Sequence, residues 1–193
     1  MISKHSERGQ EGEYQYMNYR KLFNSMHNGF FNEKNIKSMP ENWVFTELIM
    51  DLRQDTPNQP PYPHPENIIF GEYHCGPEKL KETVGQVNED WVPYFEQSRT
   101  FCAFDRNTIV SFCILGDWGR HDGLHIGGPG CVGTIPEYRE KGIGLELVRQ
   151  ATNVLKDEGF DISWIHFTHL GYWYKKLGYR TVLRWNSKGI ITA

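Results

Sequence analysis

The densest group of residues able to do chemistry lies between Gly130 and Gly144, in the run Gly-Cys-Val-Gly-Thr-Ile-Pro-Glu-Tyr-Arg-Glu-Lys-Gly-Ile-Gly. Cys131 to Ile135 reads as a short strand that Pro136 stops. A helix is predicted to begin near Gly142, because Gly144, Leu147, Val148, Ala151, Val154 and Leu155 recur on one face, and Gly159 is placed to end it. Two glycines at a helix start let backbone N–H groups converge on one concavity with no Cβ in the way. The positive end of the helix dipole behind them makes such donors an anion site. Arg139 and Lys141 add local positive charge, so the natural guest is a phosphate. Spacing alone leaves equally open a turn whose glycines only relieve strain, since short glycine motifs are weak evidence.

Other constellations are excluded or weakened by composition. Net charge is 21 − 24 = −3, with no basic block of five or more. Nucleic acid is not favoured as a partner, because phosphate contacts require a basic patch. No run approaches the roughly 18 apolar residues of a membrane span, and the start, Met1 to Ser6, lacks a signal peptide's apolar region. A cytoplasmic protein with no membrane partner is expected. Cys75, Cys102, Cys113 and Cys131 form no CxxC pair and fit reduced thiols. His121 and His125 are four apart, but the Gly123 between them argues against a helical metal pair, and no metal is expected.

The elements that must position the glycine run are legible from pattern. Hydrophobic content of 38% and aromatic content of 14% in 193 residues suit one well-packed domain with an added segment. Tyr19, Leu22, Phe23 and Met26 recur at helical spacing, with Gly29 closing that helix. Ser38-Met39-Pro40-Glu41 has the form of a capping box, followed by an apolar stripe of Val44, Phe45, Leu48, Ile49 and Leu52. Two helices are therefore predicted within residues 14–53. Proline-rich Thr56 to Pro65 reads as an extended connection. Asn67 to Tyr73 is a predicted strand, Pro77 starts a helix carrying Leu80 and Val84, and Trp91 and Phe95 share a short helical segment around Pro93. Arg99–Phe104 and Thr108–Leu115 form a hairpin about Asp105-Arg106-Asn107. Gly116 to Gly123 reads as a loop. Gly127, Gly128, Pro129 and Gly130 in the next strand suggest a bulge or a close backbone approach. Ile162–Phe167 is a buried strand, Gly171–Leu177 a short helix and Arg180–Trp185 a final strand. This order predicts a mixed α/β sheet.

Two landmarks carry a family resemblance. Arg139-Glu140-Lys141-Gly142-Ile143-Gly144 matches the pattern Arg/Gln-x-x-Gly-x-Gly/Ala. Trp173-Tyr174-Lys175-Lys176-Leu177-Gly178-Tyr179 matches aromatic-Tyr-x-Lys-Leu-Gly-aromatic. In this order, separated by a helix and a strand, they resemble the GNAT superfamily of acyl-CoA-dependent N-acyltransferases over about residues 66–185. The resemblance implies a GNAT-like α/β fold: a mixed, mostly antiparallel central sheet with flanking helices and a splayed central strand pair. The cofactor would enter that opening from one side and the acceptor from the other. Residues 66–193 would be the acyltransferase domain. Residues 1–65 would be a helical extension and Pro-rich connection that covers the acceptor groove or makes a homodimer contact.

The resemblance also implies roles for individual residues. Acetyl-CoA would be the co-substrate, its pyrophosphate held by backbone donors around Arg139, Glu140, Lys141, Gly142, Ile143 and Gly144. Its pantetheine arm would pair with Val132, Gly133 and Thr134. Tyr174 would protonate the leaving thiolate. An alkylamine acceptor must lose a proton first, at a cost of about 3.4 pKa units, roughly 4.6 kcal/mol. Many family members carry a Glu for this purpose eleven residues before the signature's first position, which here is Gly128. His166 and His169 are the remaining candidates for base, each equally readable as a structural histidine. Phe167 stands where the family often has an Asn. Trp91, Tyr94 and Phe95 would lie beside the acceptor. The expected function is N-acetyl transfer to a primary amine of a small molecule or peptide; the alternative is a non-catalytic acyl-CoA-binding or regulatory protein.

Overall fold

The computed structural model describes residues 17–57 and 61–192. The chain runs through α1 (Tyr19–Met26), the short α2 (Lys34–Lys37), β1 (Phe45–Asp51), β2 (Ile68–Glu72) and α3 (Pro77–Gly85). A 3-10 segment, Glu89–Phe95, leads to β3 (Thr100–Asp105), β4 (Thr108–His121) and β5 (Leu124–Thr134). Then come α4 (Ile143–Asp157), β6 (Ile162–Thr168), α5 (Gly171–Tyr174), β7 (Arg180–Asn186) and β8 (Gly189–Thr192). The strands form one sheet in the order β2-β3-β4-β5-β6-β1-β7-β8.

Only β5 and β6 are parallel neighbours, and they pair solely through Ile126↔Ile162 and Gly127↔Ser163. Beyond those pairs they part, which is the splay the resemblance implied. In β5, Cys131 and Val132 together lie opposite Cys113 of β4, between the pairs Phe112↔Gly133 and Ile114↔Gly130. Cys131 has φ +47°. This is the expected bulge, one extra residue bending the strand.

The glycine-flanked helix forms as predicted. Gly142 caps its start with φ +77°. At its end Gly159 takes φ +83°, its N–H bonding Lys156 while the Phe160 N–H reaches Leu155. That pair of bonds closes the last turn in a Schellman arrangement. Leu147, Val148, Ala151 and Leu155 of α4 pack with Leu48, Met50 and Ile165 on one face of the sheet. On the other face Leu22 and Phe23 of α1 pack with Ile49, Trp164 and Trp185.

Three expectations are corrected. The helix expected to follow Ser38-Met39-Pro40-Glu41 and carry the Val44–Leu52 stripe does not form: Phe45 to Asp51 is a strand lying between β6 and β7, antiparallel to both. All of its residues except Thr46 are buried, so both faces are covered and no alternation of exposure separates it from a helix stripe. Residues 1–65 therefore do not form a purely helical extension, since β1 belongs to the sheet. Gly116 to His121 is not a loop but the continuation of β4, which turns into β5 through Asp122-Gly123, both at positive φ, as a two-residue hairpin turn requires. Finally, β7 is followed by a further strand, β8. Among the described residues no helix is long and apolar enough to cross a membrane.

Leu48 is fully buried at the centre of β1. Leu48→Ala should cost about 2–5 kcal/mol of stability, read as a lower urea midpoint for the whole unfolding transition. A stripe on a separable extension would leave the main transition where it was.

Candidate active site

The start of α4 builds an anion cradle from backbone alone. Glu140 and Gly142 both adopt positive φ, +61° and +77°, which turns successive peptide groups inward as in an anion-binding nest. Among the described residues the N–H groups of Ile143, Gly144 and Leu145 make no backbone hydrogen bond, as is general for a first helical turn. Arg139 is steered by a bond from Nε to the Thr134 carbonyl, 3.0 Å. Lys141 folds back instead, its Nζ on the Glu137 carbonyl at 2.8 Å and 4.9 Å from the Tyr138 ring centre. The strap at residues 61–65 is pinned here too. The Tyr62 N–H donates to Glu146 at 3.0 Å and its hydroxyl to the Lys176 carbonyl. A Cβ on Gly142 would sit 1.9 Å from the Pro63 carbonyl oxygen. Glycine is obligatory at 142 on both counts.

This cradle opens into a cavity of about 460 Å³ bordered by Val132, Thr134, Tyr138, Arg139, Glu140, Gly142, Ile143, Gly144 and Leu145 on one side. Leu170, Trp173, Tyr174 and Lys176 border it on the other. The two sequence landmarks thus share one space. Gly133 lies off it, its α-carbon against the Phe112 ring, and Lys141 does not border it. Tyr174 is 7% exposed, and burial pushes its phenol well above the ordinary value, with Tyr179, Cys113 and Cys131 adding to the effect. Its hydroxyl stays protonated at neutral pH, a donor rather than a base. Trp91, Tyr94 and Phe95 do not border this cavity: Phe95 is buried on Phe112 and Tyr94 is exposed.

His166 lies on the opposite face of the sheet, in a cluster that the sequence did not announce. Its Nδ1 bonds Glu47 Oε2 at 2.8 Å. Glu47 is fully buried and also accepts from Trp164 Nε1 at 2.8 Å, Trp185 Nε1 at 2.7 Å and the Phe167 N–H at 3.1 Å. Burial pushes the Glu47 carboxyl up, but the bond and proximity of His166 and the two indole donors outweigh it, leaving it below its ordinary value. His27, just beyond α1, places Nε2 3.4 Å from His166 Nε2. Burial, then His166, lowers its pKa to about 4. His169 is elsewhere: exposed, bonded to the Val44 carbonyl at 3.0 Å and tilted against the Phe45 ring at 4.1 Å. Gly128 has no room for a carboxylate, because even a Cβ would fall 2.1 Å from the Trp164 carbonyl oxygen. Among the described residues no group of acidic, His and Cys side chains is arranged to hold a metal.

Comparison with known proteins defines the class. Residues 96–181 match the model of the acetyltransferase (GNAT) domain, the family that the two landmarks resemble, and both landmarks fall within that span. Among solved structures, a GCN5-related glucosamine N-acetyltransferase region of a fungal multi-domain GH3 β-N-acetylglucosaminidase aligns at TM-score 0.61 and 22% identity. It covers 74% of this chain and 20% of that one. A GCN5-related N-acetyltransferase from Sphaerobacter thermophilus aligns at TM-score 0.52 and 20% identity, over 73% of this chain and 49% of that one. One from Kribbella flavida aligns at 0.53 and 15%, over 72% and 55%. The chain thus spans from a fifth to somewhat over half the length of these proteins, and at these identities they establish the fold. A search of curated proteins gave no match.

The buried carboxylate gives a pH test. A carboxyl depressed on folding contributes stability that is present above its unfolded value, about 4.3, and lost as pH falls through the folded value. Glu47→Gln should therefore be less stable than the parent at pH 7, with the gap narrowing below about pH 4.3. Thermal melts across that range check it; a gap independent of pH would mean that Glu47 is not ionised.

Proposed function

We propose that the protein is an N-acetyltransferase that moves the acetyl group of acetyl-CoA to a primary amine of a small molecule or peptide by direct attack. The observation that carries this reading is the single cavity shared by the α4 cradle and Tyr174. The donors of Ile143, Gly144 and Leu145, with Arg139, suit a pyrophosphate. The edge of β5 that leaves β6 after Gly127 suits the amides of a pantetheine arm along Val132 and Thr134. In the reaction the amine nitrogen bonds to the thioester carbonyl carbon, the carbon–sulfur bond breaks, Tyr174 gives its proton to the departing sulfur, and the proton that the nitrogen sheds on becoming an amide restores the phenol. Tyr174 is suited to this because its environment keeps the phenol protonated. Four free cysteines support a reducing, cytoplasmic setting. We expect no nucleic acid, membrane or metal partner, and a homodimer contact is a role open to the N-terminal segment.

A second reading, an acyl-CoA-binding protein without turnover, is favoured by Gly128, where the strand leaves no space for an acid or base. Two measurements separate the readings. Calorimetric titration of the full chain with acetyl-CoA, CoA and dephospho-CoA should give micromolar binding, and no binding to any of them overturns both. Turnover against an amine panel that includes glucosamine should then be lost about 10²- to 10⁴-fold in Tyr174→Phe at unchanged acetyl-CoA affinity. A parent that binds acetyl-CoA yet acetylates nothing in the panel supports the second reading.

A further inference from the structure

The face of the sheet under α1 brings together three titratable side chains from distant parts of the chain: Glu47 of β1, His166 of β6, and His27 after α1. The bonds restrict where their protons sit. An ionised carboxylate only accepts, so His166 carries its proton on Nδ1, toward Glu47. With the ring neutral, the His166 Nε2 is a lone pair, and the His27 Nε2, 3.4 Å away, is the donor to it. That leaves a lone pair on His27 Nδ1. Among the described residues this nitrogen has no hydrogen-bond partner, and no buried side-chain nitrogen or oxygen lacks one. His27 itself is half-buried. The row runs from a buried carboxylate, through two imidazole rings, to the Nδ1 of His27.

We infer that this row is a proton relay in which His27 takes a proton from the incoming ammonium group and His166, positioned by Glu47, holds the charge. The inference rests on the acetyl-transfer reading and supplies the base that it lacks. As the ammonium N–H bond breaks, a proton bonds to His27 Nδ1, and the proton on His27 Nε2 moves to His166 Nε2. The positive charge ends on His166, against Glu47, and the freed amine lone pair attacks the thioester. Passing the charge inward matters because His27 alone is a weak base, at about 4. A cation on His166 is stabilised by the Glu47 carboxylate at 2.8 Å and by the stacked Trp164 ring at 5.6 Å. The groups that bear on His27 are His166, Glu47 and His121 of β4.

Two further observations mark the cluster as built for more than packing. Phe167 is held at φ +53°, a conformation costly for a bulky residue, and its N–H is thereby delivered to Glu47. The Trp118 ring fills the space beside Gly128, where a Cβ would meet it at 3.0 Å. The same ring meets His166 edge-on at 4.5 Å. The ring thus lies between Gly128, which the Trp164 carbonyl oxygen also crowds, and His166.

The relay is needed only for an acceptor that arrives charged. Turnover is therefore compared for benzylamine, cationic at pH 7, and aniline, uncharged at pH 7, in the parent and in His27→Gln, His166→Gln and Glu47→Gln. Each variant should lose benzylamine turnover by about a hundredfold or more while aniline turnover and acetyl-CoA affinity hold. Equal losses on both amines would mean a structural role and overturn the relay. Imidazole nitrogen NMR of the full chain at pH 7 decides independently of turnover. Single protons on His166 Nδ1 and His27 Nε2 support the relay; the opposite tautomer of either ring, or a His166 protonated on both nitrogens, overturns it. A parent that binds no acetyl-CoA instead sinks the acetyl-transfer reading itself, so the two failures are distinguishable.

Discussion

The molecule depends on how briefly β5 and β6 touch. After two residue pairs their backbones separate, and the cavity on one face and the histidine cluster on the other flank that opening. Close packing at the point of parting sets the geometry. A Cβ at Gly127 would fall 2.5 Å from the Gly116 carbonyl oxygen, and one at Gly128 even nearer to that of Trp164. Without side chains at 127 and 128, β5 can lie tight against both neighbours for two residues, and the extra residue at Cys131 then carries it away. A fully zipped pair would fill the opening with ladder hydrogen bonds and leave α4 resting on an unbroken sheet.

Charge is divided between the two sides of that opening. On the α4 side, helix-start N–H groups and Arg139 make an environment that favours anions. On the α1 side the central charge is a buried carboxylate, tolerable there because four donors surround it, in keeping with the rule that buried charges are paired or hydrogen-bonded. Tyr174 and the Glu47 cluster are complementary in protonation. One is a buried phenol that keeps its proton; the other is a buried acid that has lost it.

Legibility in the sequence tracked the range of the interactions involved. The α4 start and its two landmarks are local: Gly142, Gly144 and Gly159 each answer to a turn geometry visible within a few residues, so the helix and the cradle could be read. β1 is not local. Val44, Phe45, Leu48, Ile49 and Leu52 fit a helix stripe and a doubly buried strand equally well, and only pairing with β6 and β7 decides. Read as a helix, the stripe leaves Glu47 off its apolar face, which hid the partner of His166. The Asp122-Gly123 turn was a missed local signal, since that dipeptide between two apolar runs marks a hairpin. His169 had the same pattern support as His166, and only tertiary structure shows it bonded to the Val44 carbonyl.

The place of β1 between β6 and β7 also has a consequence for biosynthesis. β1 leaves the ribosome early, yet both strands that flank it come from the last third of the chain. Its hydrogen-bonded carboxylate waits for Trp164 and Trp185, 117 and 138 residues downstream. Such long-range closure makes for slow folding, and nascent chains grow N-terminus first. Through that interval Phe45 to Met50 is an unpaired apolar strand of the kind that aggregates. A charged Glu47 in its middle is the one residue that discourages chain-to-chain pairing before the proper neighbours arrive.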